Sequence, residues 1–228
     1  MNELVFKTII LVIFSVLRLV IAIPLLAAAR RNRLTNLYWL IGQFMALVIA
    51  VPFADAGALS NVWIFWPFLS ISEIALIMFV HTTFYQGRRS PMPIFMALAV
   101  LGLFGGIYGN AMGNFEFSAW AVYPNAFLIW GWHFVVAYRA FQKIAADRFT
   151  DDWVKSRYKL MITYSTFDFI SAVLGTASTT GLWVSPVGAL IIVAINFASV
   201  FVQIFTWAMP DWFRRWLNRN YQLPVEFQ

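Results

Sequence analysis

The sequence predicts an all-α polytopic membrane protein, a bundle of seven transmembrane helices, and three observations lead to this prediction. The 228 residues are 61% hydrophobic and only 11% charged, whereas an average soluble domain carries about 25% charged residues. Seven stretches are long enough to supply the roughly 20 apolar residues that a helix needs to cross a bilayer. The basic residues are segregated into alternate connections between these stretches. So few charges could not cover a water-soluble globule, which excludes a soluble enzyme, a disordered tail and a nucleic-acid-binding module.

Each predicted span is apolar all round, as expected for helices that face lipid or other helices. The seven predicted spans are Glu3–Ala29, Asn36–Leu59, Asn61–Tyr85, Pro93–Met112, Phe117–Tyr138, Arg157–Ser178 and Trp183–Ala208. Ala27–Ala29 resembles a signal-peptide cleavage site, but the apolar run before it is too long and Arg30 and Arg31 follow at once. We therefore expect a retained first span, one bundle over residues 1–210 and a tail over residues 211–228.

The distribution of basic residues predicts the orientation of the bundle. Fourteen of the sixteen lysines and arginines lie in the first, third and fifth connections and in the tail, and the other connections carry none. These residues are Arg30, Arg31, Arg33, Arg88, Arg89, Arg139, Lys143, Arg148, Lys155, Arg157, Lys159, Arg214, Arg215 and Arg219. By the positive-inside rule the N-terminus is outside and the C-terminus cytoplasmic, in a plasma or inner membrane. The net charge of +6 is then an orientation signal, and no nucleic-acid partner is expected.

Aromatic residues at the span ends are typical of the two membrane interfaces. Trp63, Trp66, Trp120 and Trp183 are predicted at the outer edge, and Tyr38, Trp39, Tyr85, Tyr138, Trp207 and Trp212 at the inner edge. After Pro210, the segment Asp211–Arg219 alternates apolar and basic residues at helical spacing. This pattern predicts a short amphipathic helix that lies in the cytoplasmic interface.

The fourth span carries small residues every four positions, in two registers. One register contains Gly102 and Gly106, and the other contains Gly105, Gly109 and Gly113. Such spacing lets another helix backbone approach closely in lipid. We expect these glycines to serve packing inside the bundle, with a homodimer contact and a sliding or bending helix as alternatives.

Four polar residues from four spans fall at a common depth. Counted at 1.5 Å per residue from the basic ends of their spans, Arg18, Glu73, Asp168 and Asn196 lie about 16–18 Å deep, near the bilayer midplane. Ionisable residues at this depth usually face the bundle interior and mark functional sites. One guanidinium facing two carboxylates leaves a spare acid that binds a proton or attracts a cationic ligand. The alternative is a structural Arg–carboxylate pair that fixes helix register.

A second polar layer is predicted about 6–10 Å above the cytoplasmic edge. It contains His133, Gln203, Gln43 and His81, with Trp130 on the same helix face as His133. An imidazole beside an aromatic wall and the gap at Gly131 suits a small planar ligand. The alternative is that the tryptophans pack against the groove of the fourth span.

The catalytic and cofactor-binding motifs that the sequence lacks narrow the range of its possible functions. It has no cysteine, and it contains neither a zinc-protease, serine-hydrolase or P-loop motif nor a dinucleotide-binding glycine fingerprint. We therefore expect no enzyme, no metal site and no cofactor. Haem or chlorophyll bound through His81 and His133 remains a minor alternative.

Three segments at the ends of the predicted spans resemble those of a known protein family in their layout. They are Phe79–Arg89 running into the fourth span, the basic stretch Lys155–Lys159 entering the sixth, and the exit Trp207–Pro210. They resemble the corresponding passages of bacterial seven-transmembrane sensor modules, which usually precede histidine-kinase or diguanylate-cyclase domains. No catalytic residue follows from this resemblance. The sequence ends at Gln228 with no such output domain, so the resemblance implies signalling to a separate protein.

Three functions therefore stay open. The first is a sensor or receptor-like module for a small ligand or a proton, which signals to a cytoplasmic or membrane partner through the basic connection Arg139–Lys159. The second is a small transporter or channel that uses the midplane layer of arginine and carboxylates. The third is an accessory, cofactor- or pigment-binding subunit of an energy-converting membrane complex. The oligomeric state stays open as well.

Overall fold

The computed structural model describes residues 3–54, 59–147, 149–179 and 186–219, and the regular structure within these ranges is entirely helical. A 3-10 turn (Val51–Phe53) and a π-helical turn (His81–Tyr85) extend two of the α-helices. The α-helices are α1 (Glu3–Asn32), α2 (Thr35–Ala50), α3 (Val62–Val80), α4 (Met92–Ala111), α5 (Phe115–Ala145), α6 (Asp152–Thr179), α7 (Pro186–Trp207) and α8 (Asp211–Leu217).

Six helices in the described part of the chain are long and apolar enough to cross a membrane. They are α1, α2, α3, α4, α6 and α7, so six of the seven predicted spans meet this criterion. The fifth, α5, has 31 residues but does not meet it. Residues such as Trp130, Trp132 and His133 lower its hydropathy, although its length of about 46 Å exceeds the thickness of a bilayer core.

Consecutive helices pack side by side, and the bundle closes where α7 packs on α1. In addition, α3 contacts α5, which places α3 towards the middle of the bundle. At one end Asn36 Nδ2 donates to Thr83 Oγ1 at 3.0 Å, and at the other Asn110 Nδ2 donates to the carbonyl of Val62 at 3.1 Å. We call the first the basic end, because the connections after α1, α3 and α5 and the helix α8 meet there. The second is the N-terminal end, where α1 begins.

The second span is shorter than its predicted range Asn36–Leu59, because α2 ends at Ala50. Pro52 lies in the 3-10 turn that follows. A proline has no N–H to donate to the helix ladder, and this explains the early end. The expected start of the seventh span at Trp183 lies outside the described residues.

The region Arg139–Lys159 is mostly helix, which corrects the expectation of one long basic connection. Charge alone led to that expectation, but α5 continues to Ala145 and α6 begins at Asp152. Asp147 holds the short turn between them by accepting hydrogen bonds from the Thr150 hydroxyl and the Phe149 N–H. These two bonds lower the pKa of Asp147 below its ordinary value.

The aromatic residues divide between the two edges and the interior. Trp63, Trp120 and Trp212 are exposed, as residues of an interfacial belt would be. Trp66 and Trp207 are buried instead, because they pack against rings inside the bundle. The short helix α8 forms as expected and is fixed to α6, since Asn218 Oδ1 accepts from the Trp153 N–H at 3.0 Å.

Helix α4 packs closely on α5 through glycines. A Cβ atom on Gly105 would lie 2.5 Å from Ala121 Cβ, and one on Gly102 would lie 2.6 Å from Asn125 Nδ2. A Cβ atom on Gly106 would meet Val122 and Trp66, and one on Gly109 would meet Ser118. This close approach lets Asn125 Nδ2 donate to the carbonyl of Leu98 at 2.9 Å.

Gly113 differs from the other glycines of the two registers. It follows the end of α4, has φ +66°, and has open space around its Cβ position. It serves the turn into α5, because only glycine adopts this backbone conformation without strain. Gly113 is therefore a turn residue and not part of the packing groove.

We predict that Gly105→Ala destabilises the bundle. The new methyl group would meet Ala121 Cβ, which is fixed directly to the backbone of α5, so the two helices must separate. Overpacking of this kind costs about 1–3 kcal/mol. Thermal unfolding of the purified protein in detergent measures the effect.

The matched control for this substitution is Gly42→Ala on α2. Its new Cβ would lie 3.8 Å from Ala75 Cβ, an ordinary contact. Since glycine is less favourable than alanine in a helix by about 0.5–1 kcal/mol, this variant should be unchanged or slightly more stable. An equal loss of stability in both variants would contradict the packing argument.

Candidate functional site

A cavity of ≈ 270 Å³ lies between α1, α2, α3, α5, α6 and α7, and we call it the central cavity. Arg18, Glu73, Asp168 and Asn196, the four residues expected near the midplane, all line it. Its wall also includes Gln203 and Trp130 from the second predicted layer. The structure therefore brings the polar residues of four separate helices to one space. Binding of a ligand or proton there stays a prediction.

Glu73 is the most unusual residue of the central cavity. Its side chain is 4% exposed, and neither carboxylate oxygen has a hydrogen-bond partner among the residues that the structure describes. A buried polar group without a partner loses its hydration without compensation, which costs about 1–3 kcal/mol and more for a charge. Glu73 is therefore a buried carboxylate that the described residues leave without a partner.

Arg18 faces the same cavity from α1. Its Nη1 donates to the carbonyl of Phe14 at 3.2 Å, and its guanidinium lies 5.8 Å from the centre of the Phe14 ring. Its Nε has no partner in the described parts of the chain. No ion pair within 4.0 Å joins it to Asp168 or Glu73 among those residues. The direct pair that a structural Arg–carboxylate latch requires is therefore not formed.

Asp168 is held by α7. Its Oδ1 accepts from the Ser199 hydroxyl at 2.6 Å, and its Oδ2 accepts from Gln203 Nε2 at 2.8 Å. Gln203 Nε2 also lies 3.1 Å from Ser199 Oγ. Gln203 thus acts with the midplane carboxylate, and not with His133 as its depth indicated. These bonds satisfy both oxygens of Asp168 and orient its side chain at the cavity wall.

A second cavity of ≈ 250 Å³ continues the central one towards the N-terminal end. The two share Arg18, Val51, Ile192 and Asn196, so they are neighbours. Lys7 lines the far part of this N-terminal cavity, eleven positions before Arg18 on α1. Asn196 Nδ2, between the two cavities, donates to Ser171 Oγ at 2.8 Å. Lys7 and Arg18 therefore lie at the two ends of the N-terminal cavity, whose remaining wall is mostly apolar.

His133 is fully buried on the other side of the central cavity. Its Nδ1 lies 2.9 Å from Ser165 Oγ, and its Nε2 lies 3.5 Å from the Tyr164 hydroxyl. Ser165 donates its only hydroxyl hydrogen to the carbonyl of Met161 at 2.7 Å, so its oxygen accepts from a His133 Nδ1–H. Both ring nitrogens are therefore engaged by neighbours inside the bundle.

An aromatic layer surrounds His133. The rings of Trp130 and Tyr164 each lie 5.6 Å from the imidazole, measured between centroids, and Phe79 lies 6.5 Å away. Phe79 also packs edge-on against Trp207 at 5.6 Å. We call these five residues the aromatic layer, and they lie between the central cavity and the basic end.

The remaining predicted residues lie apart from this arrangement. Gln43 is buried on α2, 3% exposed. His81 lies in the π-helical turn, where its Nδ1 is 2.8 Å from Ser90 Oγ and its ring stacks on Tyr85. The central cavity is not lined by either residue.

Several residues of the site were missed by the sequence analysis. Ser199 holds Asp168, Ser171 holds Asn196, and Ser165 and Tyr164 hold His133. Spacing could have identified Ser199 as a residue of the site, although not its partner. Asn196, Ser199 and Gln203 recur at i, i+3 and i+7, which gives a polar stripe along one face of an otherwise apolar helix.

Comparison with known proteins adds no relative: no protein-family model, no curated protein and no solved structure matches the chain.

We predict that Ser165→Ala destabilises the protein by about 1–3 kcal/mol. The substitution leaves the buried Nδ1–H of His133 without an acceptor. Thr166→Ala is the matched control, because Thr166 also donates to the carbonyl four residues before it, at 2.8 Å, and has no histidine partner in the described residues. Thermal unfolding in detergent compares the two. Equal stability of both variants would contradict the role assigned to Ser165.

Proposed function

We propose that this protein is a seven-helix membrane sensor module that binds a small zwitterionic ligand in the central cavity. The observation that carries the proposal is the pairing, in one cavity, of a buried carboxylate without a partner on Glu73 and an incompletely bonded guanidinium on Arg18. A ligand with one ammonium and one carboxylate group, such as a free α-amino acid, complements both. Its ammonium would bind Glu73 and its carboxylate would bind Arg18.

The size and walls of the cavity support a small ligand. A volume of ≈ 270 Å³ holds a molecule of several non-hydrogen atoms, given that a water molecule takes about 30 Å³ in the liquid. Phe65, Leu69 and Tyr123 supply apolar surface around the polar groups. A mostly apolar pocket with a few convergent polar groups is typical of small-molecule sites.

The sensor role is supported by what lies beyond the cavity. Towards the basic end the aromatic layer closes it, with Phe79 and His133 at 1% and 0% exposure. Asp168, at the cavity wall, lies on α6, and the same helix carries Trp153, which binds α8 at the basic end. A ligand that displaces α6 at the cavity would therefore also displace the surface at the basic end.

The proposal includes the topology of the chain. α5 is the fifth span and brings the six apolar spans to seven, since it packs between α4 and α6 and is long enough to cross a bilayer. The N-terminal end faces outside and the basic end faces the cytoplasm of a plasma or inner membrane. A separate cytoplasmic or membrane protein receives the signal there, in keeping with the resemblance to sensor modules.

A binding experiment tests this function. The full chain, purified in mild detergent, is titrated calorimetrically with the common α-amino acids, with putrescine as a cation and acetate as an anion. We expect saturable binding of at least one zwitterion and weaker binding of the two ions. Glu73→Gln should weaken binding about tenfold or more, because it removes one charge-assisted hydrogen bond.

Glu116→Gln is the matched control for this test. Glu116 lies in the first turn of α5 and is exposed, away from the central cavity. Binding should be unchanged in this variant. If no zwitterion binds, or if both variants bind as the unaltered protein does, the sensor proposal fails.

A transporter is the second candidate, favoured by a further cavity of ≈ 250 Å³ on the other side of the aromatic layer. We call it the Arg157 cavity. It is lined by Arg157 and by Phe79 and Trp207 of the aromatic layer, while Trp130 of that layer lines the central cavity. Only a few rings therefore separate two cavities that lead to opposite ends of the bundle. Opening of this layer would join them into a path.

Flux distinguishes the two candidates. Proteoliposomes that contain the full chain are given a radiolabelled amino acid that binds in the titration. The sensor proposal predicts uptake no greater than in empty vesicles. Uptake that exceeds this level and is lost in Glu73→Gln, with Glu116→Gln unaffected, would establish the transporter instead.

A further inference from the structure

A separate cavity at the basic end has a very different chemistry from the central one. Its volume is ≈ 510 Å³, and it is lined by the end of α3, the connection to α4, and parts of α5 and α6. Four cationic residues, Arg88, Arg89, Arg139 and Lys143, line it, and none of its described lining residues is acidic. We call it the basic cavity. The central cavity shares no described residue with it.

The backbone after α3 brings two of the cations to this cavity. Gln86 and Gly87 have φ values of +40° and +85°, so the chain reverses direction directly after the π-helical turn. The N–H of Arg88 then donates to the carbonyl of Tyr85 at 2.8 Å, which fixes the turn. Arg88 and Arg89 are thereby held opposite Arg139 and Lys143 of α5 across the cavity.

Among the residues that the structure describes, no acidic side chain pairs with any of the four cations. No ion pair within 4.0 Å reaches any of them from the described residues. All four side chains are exposed, so salt screens part of the repulsion between them, and a bound anion relieves the rest. The positive-inside rule alone predicts basic residues at the cytoplasmic end of a bundle. It does not require that these residues share a cavity.

Two hydroxyl groups add donors at the cavity wall. The hydroxyl oxygen of Tyr85 accepts from the indole N–H of Trp132 at 3.0 Å, which leaves its own hydrogen available to a guest. Tyr158 lines the cavity from α6. Neutral donors next to cations complete the surroundings of an anion that has several acceptor oxygens.

We propose that the basic cavity binds a phosphate-bearing anion. Three guanidinium groups match the oxygens of a phosphate in a bidentate manner, and a phosphate monoester carries about two negative charges where a carboxylate carries one. The phosphate could belong to the headgroup of an anionic lipid, since basic pockets at the cytoplasmic ends of membrane helices bind such headgroups. It could equally belong to a soluble phosphate compound. This proposal is independent of the ligand in the central cavity.

Calorimetric titration of the full chain in mild detergent at low salt tests the proposal. The probes are dioctanoyl phosphatidic acid, the matching phosphatidylcholine, inorganic pyrophosphate and a hexaglutamate peptide. We expect saturable binding of phosphatidic acid or pyrophosphate and much weaker binding of phosphatidylcholine and the peptide. Tighter binding of phosphatidic acid identifies a lipid headgroup, and tighter binding of pyrophosphate identifies a soluble ligand.

The variant Arg88→Gln/Arg139→Gln should weaken this binding about a hundredfold, about tenfold for each arginine lost. Arg30→Gln/Arg31→Gln is the matched control, because it removes the same charge from the basic end but not from the cavity lining. It should lower the affinity only slightly. Lys143→Gln, which removes only one charge from the cavity lining, provides a milder test if the double variant does not fold.

Three results would overturn the proposal. The first is binding that is undiminished in the variants of the cavity. The second is an equal loss of affinity in the two double variants, which would mean that diffuse charge attracts the anion. The third is tighter binding of the glutamate peptide than of any phosphate compound, which would identify a docking site for an acidic protein segment.

Discussion

Lipid offers no hydrogen-bond partner, so every polar group inside this bundle must find one within the protein. Most of the described polar groups do so locally. Ser15, Ser165 and Thr206, for example, donate to the carbonyl four residues earlier on their own helix. Two charged residues, Arg18 and Glu73, have a buried atom without a hydrogen-bond partner among the described residues. Both of them line the central cavity. The other buried polar atoms without a partner among the described residues, Trp66 Nε1, Ser70 Oγ and Trp207 Nε1, are uncharged, so the unpartnered charged groups are concentrated at the central cavity.

The close packing of α4 and α5 determines where the floor of that cavity lies. Because Gly105 and Gly109 have no side chains, α5 lies directly against α4, with Asn125 bonded across the interface. From this position α5 carries Trp130 and His133 into the middle of the bundle, where they meet Tyr164 of α6. Small residues on one helix thus allow large rings on the next to close the space between the central cavity and the basic end.

The depth of a polar residue along its span could be predicted from the sequence, but the direction in which its side chain faces around the helix axis could not. Counting residues placed Arg18, Glu73, Asp168 and Asn196 at one level because helix rise is constant, and the structure brings all four to one cavity. The same count grouped Gln203 with His133, although Gln203 turns towards Asp168. The extension of α5 to Ala145 was missed because Arg139 and Lys143 indicate the end of a span, while a helix can continue into water. Partners across helices, such as Ser199 for Asp168, depend on tertiary packing that a single helix pattern does not contain.

The central and basic cavities are lined by the same three helical segments, α3 with its π-helical turn, α5 and α6. Glu73 and the π-helical turn lie on one continuous helical segment, twelve residues from Glu73 to Tyr85, or about 18 Å. Asp168 and Tyr158 lie on α6, ten residues or about 15 Å apart. A helix transmits displacement along its axis over such distances, and a π-helical turn is a point where its register can change. Coupling between two sites requires an element with two arrangements that both sites bias. The π-helical turn, with His81 bonded to Ser90 and Tyr85 bonded to Trp132, lies at the wall of the basic cavity and on the helical segment that carries Glu73, where such an element would have to be.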